Sequence, residues 1–181
     1  MVEIKSMTSE DINICGNIYF NAFDYFSEFE AIGKLDTEQR VSAESWRKCY
    51  DFHNYFGQCI ECKDKYAYCV KLDNNIIGFL TGWDIPDITG MGAIYIDIIA
   101  IDPQYQNQGY GTKLILDFFK KECGDKTIAL NVNKDTPTYS LYKKLGFDAN
   151  GSICMSKSLL IERLDEEYKK FLDIMKCTKN L

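Results

Sequence analysis

The chain has 181 residues, enough for one domain with a full hydrophobic core. Hydrophobic residues make up 46% and aromatics 14%, which excludes a disordered chain. The net charge of -6 argues against a nucleic-acid binder, which carries a basic stripe, and suits a cationic partner such as an amine or a basic peptide.

"VEIKSM" reads as a short strand. "TSEDINICGNIYFNAF" follows as a helix, with Thr8 or Ser9 as N-cap, acidic residues in the first turn, and Ile12, Ile14, Ile18 and Phe23 as the apolar side. The aromatic-rich segment 24–56 is expected to hold a second helix around "SAESWRKCYDFH", serving as core and lid or as the wall of a substrate pocket. "KYAYCVKL" and "NIIGFLTGWDI", joined through "DNN", form a hairpin. "AIYIDIIAID" is the next strand, ended by Pro103, and "GTKLILDFFKKECG" a helix with Gly124 past its end. "KTIALNV" is a strand, and "TPTYSLYKKLG" a short helix with Thr136 as N-cap and Pro137 in the first turn. "FDA-NG-SICMSK" carries the turn pair of a hairpin. The tail, residues 158–181, reads as an amphipathic helix with Ile161, Leu164, Tyr168, Phe171 and Met175 on one seam. That seam either covers the domain's own sheet or meets a second copy in a homodimer. The whole is a mixed α/β chain with one sheet: a domain at 1–157 and the helix at 158–181.

The opening "MVEIKSMTSED" has no basic segment leading into an apolar run, and no stretch of 18 apolar residues occurs, so a cytoplasmic protein without a membrane partner is expected. Eight cysteines are scattered through the chain. Cys59-x-x-Cys62 has metal-like spacing, but no second such pair follows and His53 is the only histidine, so reduced thiols and no metal are expected.

The informative stretch is "DPQYQNQGYGTKLI". A strand ends at Pro103 and a helix opens on Gly109-Tyr110-Gly111, where glycine is conformationally loose. A helix start offers unpaired N–H groups and the positive end of a dipole, and bare glycines let a phosphate approach them. The stretch is neither a P-loop nor the dinucleotide GxGxxG. It resembles the acyl-CoA motif of the GNAT N-acetyltransferase superfamily, [Q/R]-x-x-G-x-[G/A], here Gln106-Asn107-Gln108-Gly109-Tyr110-Gly111. A second landmark of that family follows in "NVNKDTPTYSLYKKLGF", and the likeness is close from about residue 76 to 157.

The resemblance implies the GNAT fold: a mostly antiparallel sheet, splayed at the cofactor site and flanked by helices. It implies acetyl-CoA as co-substrate, its pyrophosphate on the amides of Gln106, Asn107, Gln108, Gly109, Tyr110, Gly111 and Thr112. The pantetheine arm would run along Ile99, Ala100 and Ile101, pairing with the backbone of Ile99 and Ile101, with Asn133 on its far side. Direct attack by a primary amine, small or peptidic, then requires an acid for the departing thiolate and a base for the ammonium. Tyr142 occupies the family's tyrosine position and is the expected acid, with Tyr139 as fallback. Asp97 interrupts the apolar run "IYIDIIAI"; it is either the base, directly or through water, an anchor for a cationic amine, or a buried aspartate tied to local N–H groups. The first motif position is Gln106 where Arg is commoner, and Asp135 and Thr138 stand where Asn and Ala are common. A non-catalytic acyl-CoA sensor is the competing expectation.

Overall fold

The computed structural model describes residues 1–23, 51–85, 92–122, 124, 126–130, 132, 137–145, 147, 152–153, 166 and 169. In chain order these form β1 (Val2–Ser6), α1 (Ile12–Ala22), α2 (Phe52–Glu61), β2 (Lys65–Leu72), β3 (Asn75–Ile85) and β4 (Ala93–Ile101). Then come α3 (Tyr110–Glu122), β5 (Thr127–Leu130), α4 (Pro137–Leu145) and β6 (Ser152–Ile153). The strands form one sheet in the order β1-β2-β3-β4-β5-β6. Every neighbouring pair is antiparallel except β4 with β5, which are parallel. The mixed, mostly antiparallel sheet is the one expected.

Local chemistry explains the joints. Asp11 Oδ2 accepts from both the amide and the hydroxyl of Thr8 at 2.8 Å, which fixes the entry to α1. Its other oxygen takes Lys71 Nζ of β2 at 3.0 Å. Asp73 (φ 48°) and Asn74 (φ 70°) are the two left-handed residues of the β2–β3 turn, the conformation whose twist suits a two-residue hairpin. On α1, Ile12, Cys15 and Ile18 are buried whereas Ile14, expected on the apolar side, is 47% exposed.

The next described helix, α2, starts at Phe52, near the end of the segment expected to be helical, and residues 42–50 of that segment lie outside the described residues. Asp51 caps it, accepting from Asn54 N at 3.0 Å. Phe56 and Cys59 are its buried residues, and the Phe56 ring meets Phe79 edge-on at 5.2 Å. The arm of the "NG" hairpin that is described, β6, pairs with β5, while residues 148–151 lie outside the described residues. So does the tail at 158–181, apart from Glu166 and Lys169, which are helical and exposed.

The sheet separates two core layers. One, under α3, holds Val70, Ile77, Leu80, Leu114, Phe118 and Phe119; the other, under α1 and α2, holds Cys15, Phe56, Cys69 and Phe79. Strand β4 serves both by a bulge. β3 and β4 pair from Ile85↔Ala93 to Gly82↔Ile96 and again from Thr81↔Ile98 to Gly78↔Ile101, leaving Asp97 without a counterpart. A single extra residue inverts the alternation of side chains. Before it, Ile94 and Ile96 enter the α3 layer; after it, Ile99 and Ile101 do, and Ile98 and Ala100 turn to the α1–α2 layer.

Gly82 sits opposite the bulge, where a Cβ would lie 2.6 Å from the Tyr95 carbonyl oxygen. The bulge therefore depends on glycine at this position. Gly82→Ala is expected to cost about 1–3 kcal/mol, the usual penalty for forcing an extra carbon into a packed site. Urea unfolding measures it, and a loss below about 0.5 kcal/mol, the range of an ordinary surface change, would contradict the requirement.

Candidate active site

The parallel strand β5 accompanies β4 only from Ala93↔Thr127 to Ile96↔Leu130. Past the bulge, no described strand pairs with the outer edge of Asp97–Ile101. Which backbone groups face that opening follows from one hydrogen bond. Asp102 N donates to Ile77 O of β3 at 2.9 Å, so the carbonyl of the same peptide unit, that of Ile101, points the other way. There it accepts from Gln106 Nε2 at 2.9 Å. With the period of two along a strand, Ile99 and Ile101 present N–H and C=O to the opening, and Ala100 presents its own to β3. The Ala100 side chain is buried in the α1–α2 layer. Of the three strand residues expected to meet the pantetheine arm, two thus turn main-chain groups toward the opening and one toward β3.

The loop after β4 is built from its own polar groups. Asp102 Oδ1 accepts from Gln104 N at 2.9 Å, and Pro103 opens a single 3-10 turn closed by Tyr105 N on Asp102 O at 2.8 Å. Gln108 Nε2 donates to Gln104 O at 3.0 Å. Asn107 (φ 57°) and Gly109 (φ 79°) then adopt left-handed conformations on either side of Gln108. Such alternation turns successive N–H groups into one concavity, an anion nest. Helix α3 follows at once, its first bond running from Lys113 N to Gly109 O at 3.0 Å. The amides of Tyr110, Gly111 and Thr112 precede that bond and have no acceptor within the helix.

The two glycines differ in kind. Gly109 is required by its backbone conformation. Gly111 is not: a Cβ there would meet only Ile101 Cγ1, at an ordinary 3.6 Å. Among the described residues nothing requires a glycine at position 111. No Lys or Arg occurs from Asp102 to Thr112, and Lys113 pairs with Asp117 one turn along at 2.8 Å. Attraction for an anion here rests on main-chain dipoles.

The expected acid and base lie on opposite faces of the sheet. Tyr142, on α4, is 7% exposed and joins the α3 layer with Ile96, Ile101 and Leu130, its ring meeting Phe147 edge-on at 5.2 Å. Burial pushes its phenol above the ordinary tyrosine value, so it stays protonated at neutral pH. Asp97, half-buried, faces α2 and accepts a hydrogen bond from the Tyr55 hydroxyl. That is a side-chain partner and not the local backbone N–H of one expectation. Tyr55 OH also lies 2.8 Å from Thr81 Oγ1. Asn133 lies outside the described residues. Cys59 is buried and Cys62 exposed, and no group of three metal-ligating side chains occurs among the described residues. None of the described helices is long and apolar enough to cross a membrane.

The sequence model of the acetyltransferase (GNAT) family matches residues 29–147. The chain belongs to the GNAT acetyltransferase family. No curated protein sequence matches it. Solved structures do. It is similar to the PaiA N-acetyltransferase of Thermoplasma acidophilum in complex with coenzyme A, at TM-score 0.62 and 20% identity over 84% of this chain and 95% of that one. It is similar to the ribosomal-protein-S18-alanine N-acetyltransferase of Escherichia coli, at TM-score 0.59 and 18% identity over 82% and 78%. An aminoglycoside acetyltransferase from an uncultured soil metagenomic sample matches at TM-score 0.58 and 16% identity over 82% and 92%. At these identities the likeness is one of fold.

For this GNAT acetyltransferase, sequence reading named the glycine loop, Asp97 and Tyr142 but missed Tyr55 and Thr81. Thr81, a hydroxyl in the middle of the apolar strand "NIIGFLTGWDI", was the available signal. The two-glycine argument generates a separable prediction. Gly111→Ala should leave stability equal or raise it by about 0.5–1 kcal/mol, as alanine does inside a helix. It should weaken coenzyme A about tenfold or more by crowding the amides. Thermal unfolding and calorimetric titration read the two effects; unchanged affinity would remove the ligand from the explanation of Gly111.

Proposed function

We propose that this acetyltransferase uses acetyl-CoA to acetylate a primary amine carried by a small molecule or a peptide. The observation that carries the reading is that a strand edge at Ile99 and Ile101, unpaired among the described residues, lies beside a loop and helix start at Asn107–Thr112 suited to an anion. An amide-rich, phosphate-bearing co-substrate needs both. Acetyl-CoA, when bound, supplies an activated acyl group whose carbonyl carbon an amine can attack directly.

The chain's own residues supply the rest. Ile99 and Ile101 orient the arm by main-chain hydrogen bonds. Gln106 braces the loop against the strand end through Ile101 O and leaves the amides from Asn107 to Thr112 for phosphate oxygens. Asp97 takes the proton of the incoming ammonium, directly or through a water, which frees the nitrogen lone pair. Tyr142 gives its phenolic proton to the thiolate as the carbon–sulfur bond breaks. Relatives in fold are named for a ribosomal-protein alanine and for aminoglycosides, which supports an amine acceptor without choosing its size.

The test is release of free coenzyme A thiol from acetyl-CoA with a panel of primary amines. Turnover with at least one amine is expected; tight coenzyme A binding without turnover on any would instead favour a non-catalytic acyl-CoA sensor. Tyr142→Phe should lower kcat by about 10²–10⁴-fold, the span of a general acid, with coenzyme A affinity unchanged. A phenol raised by burial keeps its proton to higher pH than an ordinary tyrosine, so its acid form is lost late. The wild-type kcat should therefore show no alkaline decline from this group up to about pH 10, the ordinary tyrosine value.

A further inference from the structure

We infer that Tyr55 is a positioning residue for the acceptor: its hydroxyl holds one oxygen of the Asp97 carboxylate and leaves the other to receive a primary ammonium. The inference rests on the amine-acetylation reading for its meaning in catalysis, but the geometry stands apart from it. Asp97 is placed by the bulge on the α1–α2 side of the sheet, in a strand whose neighbouring positions are isoleucines. A half-buried carboxylate in apolar company needs compensation. Tyr55 binds Oδ2, and among the described residues no lysine or arginine pairs with either oxygen. Among the described residues, the other carboxylate oxygen is left without a cationic partner.

The hydroxyls around it run in one direction. The Tyr55 phenol has a single proton, given to Asp97, so Thr81 must donate in the 2.8 Å contact between their oxygens. Thr81 is fully buried, and this chain from Thr81 through Tyr55 to Asp97 satisfies it. Hydrogen bonds in such a series polarise one another and hold the carboxylate in one orientation. Burial, with the adjacent carboxylate, pushes the Tyr55 phenol above its ordinary value, which keeps it a donor across the working pH range. Tyr95 precedes Asp97 by two residues on the same face, and its ring lies 4.9 Å from that of its cross-strand partner Trp83. Aromatic faces beside a carboxylate favour an organic cation.

Binding to the coenzyme A-loaded protein tests this, with benzylamine and ethylenediamine as probes and benzyl alcohol and ethylene glycol as their uncharged controls. At least one amine is expected to bind about tenfold or more tighter than its alcohol, since a hydrogen bond to a charged group is the stronger kind. Asp97→Asn should abolish that preference. Tyr55→Phe, which keeps the ring, should weaken amine binding about fivefold to tenfold, and the double variant should be no worse than Asp97→Asn alone. Coenzyme A affinity should stay within about twofold in every variant, which excludes misfolding as the cause. Acetylation kinetics should show the same variants raising KM for the amine and not KM for acetyl-CoA. No preference for either amine over its alcohol, wild-type binding in Tyr55→Phe, or additive losses in the double variant would overturn the inference. Amine binding as described without thiol release would overturn the transferase reading and leave the ammonium seat standing. Acetylation with unchanged amine KM in both single variants would do the reverse.

Discussion

Asp97 has no partner on β3, and the arrangement of the site follows from that surplus residue. Strand β4 has an antiparallel neighbour on one edge and a parallel one on the other. Beyond the bulge it continues with β3 to Ile101, whereas its described pairing with β5 ends at Ile96, and the bulge swaps which side chains enter which core layer. A bulge bends and re-aims a strand, so the same defect that opens the edge also aims a carboxylate at α2. Gly82 is its steric condition, and the outer edge of Ile99 and Ile101, uncovered by any described strand, lies beyond it.

Electrostatics at the site run against the charge of the molecule. The chain carries a net charge of -6, yet the proposed co-substrate is an anion. The loop has no cationic side chain to offset this; what it offers the proposed anion is the first-turn dipoles of α3 and a backbone left-handed at Asn107 and Gly109. Fixed dipoles at short range can prevail over a diffuse opposing charge that salt screens beyond about 10 Å. The acidic balance suits the proposed acceptor, because a primary amine is a cation at neutral pH. The two proposed ligands, opposite in charge, would then meet β4 from different sides.

Much of this was legible in the sequence, where the cause is local. The strand ended by Pro103, the Gln106-to-Gly111 loop and the "LYKKLGF" tyrosine are each contiguous patterns whose chemistry does not depend on distant chain. The hairpin at Asp73 and Asn74 is another such case. What was not legible depends on pairing. The bulge needs the register of β3 against β4, which no run of residues within β4 reveals. Tyr55 and Asp97 stand 42 residues apart and meet only because α2 crosses the sheet. Helix α2 was not read from the sequence, because Gly57 within it weakens the helical pattern and its cap, Asp51, falls inside a segment expected to be helical. Gly111 reads the same as Gly109 in sequence; the left-handed backbone of Gly109 and the free space around Gly111 separate the two.

Amide hydrogen exchange on the protein with and without saturating coenzyme A addresses the open edge most directly, since exchange reports each backbone N–H separately. Binding should slow exchange at Ile99 and Ile101 and at the amides from Gln108 to Thr112, and leave Ala100, already paired with β3, as it was. Coenzyme A that binds while Ile99 and Ile101 exchange as freely as before would contradict the account, because the edge left by the bulge would then not be where the arm lies.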